Sequence, residues 1–329
     1  MDQFRTIISA QEFPFSINHS TDVMMIGSCF AENIGERLLQ NKLKAVINPF
    51  GILFNPFSIM NSMERMLNDR PYEAEELVQV AENYVSLDHH GRFSRATAQQ
   101  TLDEINVALT TGRVAILRSK VIFITLGSAW VHRYLASGRI VANCHKIAAA
   151  QFRKELLSME DCHLILRHIP QFLTSYGVDA QVVFTVSPVR HWKDGAIQNQ
   201  RSKAQLIAAV HQVVDEFENC HYFPGYEIMM DDLRDYRFYA TDMLHPTPQA
   251  VDYIWEKFQE SFFNDETRII CKEVQGVMQA ANHRPVDPES NSYQRFIDRQ
   301  LKLIEEISKR YPNVNLESER FHFSALKLS

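Results

Sequence analysis

Two short stretches carry residue types and spacings suited to covalent acyl chemistry. In the first, the apolar run Val23-Met24-Met25-Ile26 breaks at Gly27 and is followed by Ser28 and Cys29, a hydroxyl and a thiol on adjacent positions. Ile34, Leu38, Leu39 and Leu43 then recur at helical spacing, which puts both nucleophile-capable side chains at or just before a helix N-terminus. The positive end of the helix dipole favours an anion there and lowers a thiol pKa. In the second stretch, Asp242 and His245 stand three apart in a turn ahead of a helix opened by Thr247 and Pro248. A carboxylate at that spacing can hold one imidazole nitrogen and leave the other free to serve a nucleophile arriving from elsewhere in the fold. Each stretch alone also has a plain reading: Gly27-Ser28 as a turn and cap with Cys29 as a small buried hydrophobe, and Asp242 and His245 as loop residues.

The elements that must position these residues are legible as buried strands. Val121–Leu126 stops at Gly127-Ser128, and Val182–Val186 stops at Ser187-Pro188-Val189-Arg190-His191. Near-continuous β-branched runs alternating with helical segments predict a parallel sheet covered on both faces. A shorter strand, Lys44–Ile47, leads into Asn48-Pro49-Phe50-Gly51, a loop punctuated by Asn-Pro steps. In sheets of this kind the site lies outside the carboxyl ends of the strands, where every one of these polar clusters falls.

Residues 57 to about 112 read as a mostly helical insertion, interrupted by Asp88-His89-His90-Gly91-Arg92. Adjacent histidines without further ligands do not make a metal site. As a break between site-forming strands, the segment is expected to line the pocket entrance. The helix from about Ser202 to Phe217 carries an ordinary core stripe, and the one after Thr247 buries Val251, Ile254, Trp255, Phe258 and Phe262. Beyond a linker at 282–292, Tyr293, Phe296, Ile297, Leu301, Ile304 and Ile307 define one amphipathic helix, which packs on the domain or on a second subunit as a homodimer contact.

Composition narrows the function classes. The 329 residues are 45% hydrophobic and 22% charged, enough for a large core, and the net charge of -6 leaves no basic footprint for nucleic acid. No apolar run approaches the roughly 20 residues of a membrane span, and the opening residues lack the pattern of a secretion signal. Five scattered cysteines without a C-x-x-C pair predict a reduced, cytoplasmic compartment. The G-x-S-x-G elbow of the α/β-hydrolases is absent.

The succession of a first-strand glycine turn, glycines after later strands and a late D-x-x-H before a helix resembles the blocks of the SGNH/GDSL hydrolases. It more closely resembles the GSCFA family, whose motif stands intact as Gly27-Ser28-Cys29-Phe30-Ala31. Further stretches similar to that family are Asn48 to Gly51, Thr125 to Ser128, Asn143-Cys144-His145-Lys146, Thr185 to His191 and the run from Leu233 to His245, so that the likeness covers roughly residues 20 to 260. The resemblance implies a three-layer α/β/α sandwich with a mainly parallel sheet, spanning residues 1–280, with residues 281–329 as a C-terminal extension. It also implies hydrolysis of an ester or related acyl bond, on a small-molecule or glycan-linked substrate, without metal or organic cofactor. A non-catalytic module binding an acylated or glycan ligand is the other reading.

Carried over by position, the superfamily's Gly-Asp-Ser block puts Cys29 at the nucleophile, or Ser28 if shifted by one residue. Asp242 and His245 match the last block, and Gly51 matches the glycine whose N–H serves the oxyanion. The third block lacks its asparagine: Gly127-Ser128-Ala129 stands there instead. Ser128, Asn143 and His145 are the candidates to complete the oxyanion hole, with His89, His90, Arg190 and His191 as substrate contacts.

Overall fold

The computed structural model describes residues 5–283 and 285–327. Strand β1 (Asp22–Gly27) runs into helix α1 (Cys29–Gln40), and β2 (Lys44–Ile47) into helix α2 (Pro56–Leu67). A hairpin of β3 (Leu77–Val80) and β4 (Asn83–Ser86) precedes α3 (Ala98–Arg118) and β5 (Val121–Leu126). Next come β6 (Trp130–Tyr134), β7 (Ile140–Val141) and β8 (Phe152–Leu156), which form a small antiparallel sheet in the order β7-β6-β8. The chain then continues through α4 (Met159–Ser175), β9 (Gln181–Val186), α5 (Gly195–Glu216) and β10 (Cys220–Tyr222). Four helices close it: α6 (Pro248–Phe262), α7 (Asp265–Ala281), α8 (Asn291–Arg310) and α9 (Glu317–Ala325).

The central sheet has the order β10-β9-β5-β1-β2, with every pairing parallel. Alternation along its strands sorts the core into two halves. Val23, Met25, Val121, Phe123 and Val183 pack with Phe30, Ile34 and Leu38 of α1 and with Trp255, Phe258 and Phe262 of α6. Met24, Ile26, Ile122, Ile124, Val182 and Phe184 pack on the other face against α2, α3, α4 and α5. With both faces buried the strands need be apolar throughout, which is why they read as continuous runs. The order reverses between β1 and β5, and a sheet of this topology opens a crevice beyond the carboxyl ends of those two strands.

Two segments differ from the sequence expectation. The stretch at 57–112 is not all helix, because Leu77–Val80 and Asn83–Ser86 pair as a hairpin whose residues alternate too briefly to stand out. The C-terminal part holds two helices after the linker, and together with α7 they enclose a third core of Val274, Val277, Ile297, Ile304, Ile307 and Phe323. Glu305 and Lys309 pair at 2.8 Å on the outer face of α8. Among the described residues no helix is long and apolar enough to cross a membrane.

Candidate active site

Gly27 ends β1 with φ +141°, and a Cβ there would stand 2.2 Å from the Thr125 carbonyl oxygen of β5. No other residue fits this turn, and the backbone is left free to bring Ser28 against β5, where its N–H donates to Thr125 O at 3.1 Å. Ser28 is the N-cap of α1: its buried Oγ accepts from Phe30 N–H at 3.3 Å. Cys29 is the first helical residue and is half-buried. Its thiol does not show the net lowering that a helix terminus would give. Burial pushes it up, and Glu32 in the same helical turn adds to that, which together outweigh the opposing backbone N–H groups of Cys29 and Phe30 and the Lys203 ammonium.

The fully buried Asn48 holds this turn from the next strand end, its Oδ1 accepting from Gly27 N–H at 2.8 Å, while its Nδ2 has no partner. Around it the loop is closed on itself. Gly51 N–H, expected at the oxyanion, donates to Asn48 O at 2.8 Å, and Gly127 and Ser128 N–H both donate to Phe54 O at 2.7 and 3.0 Å. Gly51 (φ +79°) lies with His90 Cβ 2.2 Å from where its own Cβ would stand.

The 86–93 segment thus packs on the 48–51 loop at the sheet's carboxyl edge. Arg92 reaches Asn48 O at 2.6 Å and Glu32 at 3.7 Å. His89, however, turns away from any entrance. It is fully buried against Phe50, Tyr72 and Phe93, its Nδ1 pairs with Ser86 Oγ at 2.8 Å, and burial pushes its pKa down to about 3. His90 caps the short helical turn after it, its ring accepting from Arg92 N–H. His145 bonds Ser86 O at 2.7 Å, and Asn143 Oδ1 accepts from His145 N–H, so both brace that segment. Ser128 Oγ lies 3.2 Å from Ser202 Oγ and accepts from Trp130 N–H at 3.1 Å.

At the far end, Asp242 Oδ1 accepts from the N–H groups of Leu244 and His245, and Oδ2 lies 2.7 Å from His245 Nδ1. Those donors hold the carboxyl down at about 2. Arg190 N–H donates to Leu244 O at 3.2 Å, which ties this turn to the loop after β9. His191 is half-buried beside it, and burial of its ring, with Lys203 and His245 nearby, pushes its imidazole down to about 4. Gly127 must lack a side chain here, because its Cβ would stand 2.7 Å from Phe54 Cβ and 3.2 Å from His191 Nε2. Neither ring nitrogen of His245 hydrogen-bonds Ser28 or Cys29 among the described residues.

Sequence reasoning passed over the N-terminal half of α5. Asn199 accepts from His191 N–H at 2.8 Å, Ser202 accepts from Ala129 N–H at 2.7 Å, and the fully buried Lys203 donates to Ser187 O at 2.7 Å. These three residues sit on the same stripe as Leu206, Ala209, Val210 and Val213, a helical spacing of polar residues continuous with the core face that was available in the sequence. In register across the floor, Gly27 pairs with Thr125 and Thr125 with Thr185, and both threonine hydroxyls are buried without a partner.

A parallel α/β sheet with a thiol at its first strand–helix turn and an Asp–His pair before its last flanking helix defines the class of the molecule. The family model described as GSCFA family matches residues 22–258, and a second one, described as GSCFA domain protein, C-terminal domain, matches residues 274–326. The chain therefore belongs to the GSCFA family. No curated protein matches it.

Proposed function

We propose that this protein is an SGNH-type acyl hydrolase that cleaves an ester or related acyl bond through a covalent acyl-enzyme. The observation carrying this reading is the hydrogen-bonded Asp242–His245 pair at the same carboxyl edge of the sheet as the half-exposed Cys29. In the proposed reaction His245 Nε2 takes the proton of the attacking group. The new bond to the acyl carbon forms as the carbonyl π pair moves to oxygen, and the imidazolium returns its proton to the leaving alcohol as the old bond breaks. Water, deprotonated by the same imidazole, then attacks the acyl carbon; the bond to the enzyme breaks, the acid leaves, and the imidazolium returns its proton to the freed nucleophile. Cys29 is the favoured attacker because its side chain is half-exposed, whereas Ser28 Oγ is buried and occupied as a cap. The backbone N–H groups of Cys29 and Phe30 at the helix terminus act on the thiol in the direction that favours an anion, against the larger effect of burial.

The second reading, a non-catalytic ligand-binding module, is favoured by one observation: the N–H groups of Gly51, Gly127 and Ser128 are all spent on loop carbonyls. Loss of an oxyanion donor costs roughly 10²–10³ in turnover. Intact-mass analysis after exposure to a panel of activated esters and a fluorophosphonate tests the choice. The hydrolase reading expects a single acyl adduct mapping to Cys29 and missing in Cys29→Ala. No adduct with any probe leaves the binding module.

A further inference from the structure

Two cations at this site lack a counter-charge. Lys203 is fully buried, and its ammonium, with three N–H donors, makes one hydrogen bond, to Ser187 O. Arg190, three residues beyond Ser187, sets Nη1 against the thioether of Met230 at 3.1 Å, and its buried Nε has no partner. Among the described residues neither side chain forms an ion pair. The acids in the surroundings are already engaged: Glu32 with Arg92, Asp194 with Lys154, Asp231 with Arg234, Asp235 with Arg237, and Glu227 with the Tyr222 hydroxyl. An uncompensated cation is strongly disfavoured in a protein interior. Nearby buried polar atoms are also unmatched, namely Thr125 Oγ1, Thr185 Oγ1, Asn199 Nδ2 and His191 Nε2. Native interiors leave few such atoms.

Arg190 also lines a cleft of about 380 Å³ together with Arg234, Asp235 and apolar or aromatic walls that include Trp192, Met230 and Tyr239. The cleft therefore has apolar and aromatic sides with the Arg190 and Arg234 guanidinium groups and the Arg237-paired Asp235 carboxylate among them, beside the His245 turn to which Arg190 N–H is bonded.

We propose that Lys203 and Arg190 form a binding site for an oxyanion, carboxylate or phosphate, carried by a substrate whose apolar or planar body lies along this cleft. The proposal deepens the acyl-hydrolase reading by naming the class of its substrate, and rests on that reading only for what happens next. The guanidinium offers paired N–H groups matched to such oxygens, and the buried ammonium adds a second positive charge. Burial and the charge of Arg190 push Lys203 down to about 7, a strain that an anion would relieve.

The test uses the full chain with Cys29→Ala, so that no turnover intervenes, and calorimetric titration at pH 7 and constant ionic strength with inorganic phosphate, acetate and hexanoate. The expected result is saturable binding of phosphate or carboxylate, weakened at least tenfold by Arg190→Gln and by Lys203→Met and unchanged by Arg268→Gln on α7. Hexanoate binding more tightly than acetate assigns a carboxylate with an apolar body, and phosphate binding alone assigns a phosphorylated one. Absence of saturable binding by all three, or binding unchanged in Arg190→Gln, overturns the proposal; Arg190 decides if Lys203→Met does not fold. An acyl adduct on the wild-type chain without anion binding would defeat this inference and leave the hydrolase reading standing. Anion binding without any adduct would do the reverse.

Discussion

His245 Nδ1 lies 2.7 Å from Asp242 Oδ2, while the other oxygen of that carboxylate accepts from the N–H groups of Leu244 and His245. The turn thus fixes the carboxylate first and the ring second, leaving Nε2 as the nitrogen for proton transfer. His245→Ala is expected to lower turnover roughly 10⁶-fold without moving the thermal midpoint, and Asp242→Asn to cost less, roughly 10⁴-fold. Steady-state kinetics beside a melting curve measures both. Because Asp242 is held down at about 2, it stays ionised through any ordinary assay, and an acid limb near neutral pH would belong to another group.

Ser28 and Cys29 separate by what each loses. Ser28→Ala removes the cap on Phe30 N–H and is expected to cost about 1 kcal/mol of stability while activity survives. Cys29→Ala is expected to keep the fold and lose the activity. A dead Ser28→Ala beside an active Cys29→Ala would move the attack to the hydroxyl. In thiol labelling, Cys162, Cys220 and Cys271, pushed up to about 12 by burial, are expected to react last.

Lys203 gives a pH dependence of stability whose sign is fixed. Its folded pKa of about 7 lies below the unfolded value of about 10.4, so between those values the unfolded chain holds a proton that the folded chain does not. Stability from this residue therefore rises with pH across about 7 to 10, and its cost is fully present below 7. Denaturant unfolding at stepped pH should show that rise in the wild type and a flatter profile in Lys203→Met. Equal slopes would mean that the ammonium is solvated.

His89, packed on Phe50, Tyr72 and Phe93, is a core residue in its contacts. His89→Ala is expected to lower stability by about 2–4 kcal/mol, through a cavity, with little change in KM at a temperature where the variant remains folded. A KM shift without loss of stability would return the residue to the entrance. Burial holds its pKa near 3, so the folded chain binds fewer protons than the unfolded one from about 3 to 6.5, and its contribution falls away on acidification through that range.

The two-sided parallel sheet is legible in the residue pattern alone, because strands buried on both faces must be apolar throughout, and Val121–Leu126 and Val182–Val186 are. So are the first turn, where Gly27 is the only residue type that the approach of β5 permits, and the Asp242–His245 pair, whose partners are three residues apart. Local spacing carries such information, since the groups concerned meet through a few backbone torsions. Whatever depends on burial and on distant partners emerges only once the chain is packed. The thiol at the helix terminus is pushed up because burial outweighs the dipole. Gly51 N–H goes to Asn48 O and the two N–H groups after β5 go to Phe54 O, through loop conformations that no periodicity reports. His89 lies in a ring of aromatics assembled from three separate segments. Lys203 looks from its sequence neighbours like one more charge on a solvated helix, and it is buried because the packing of α5 on β9 carries its face across the strand ends, 2.7 Å from Ser187 O.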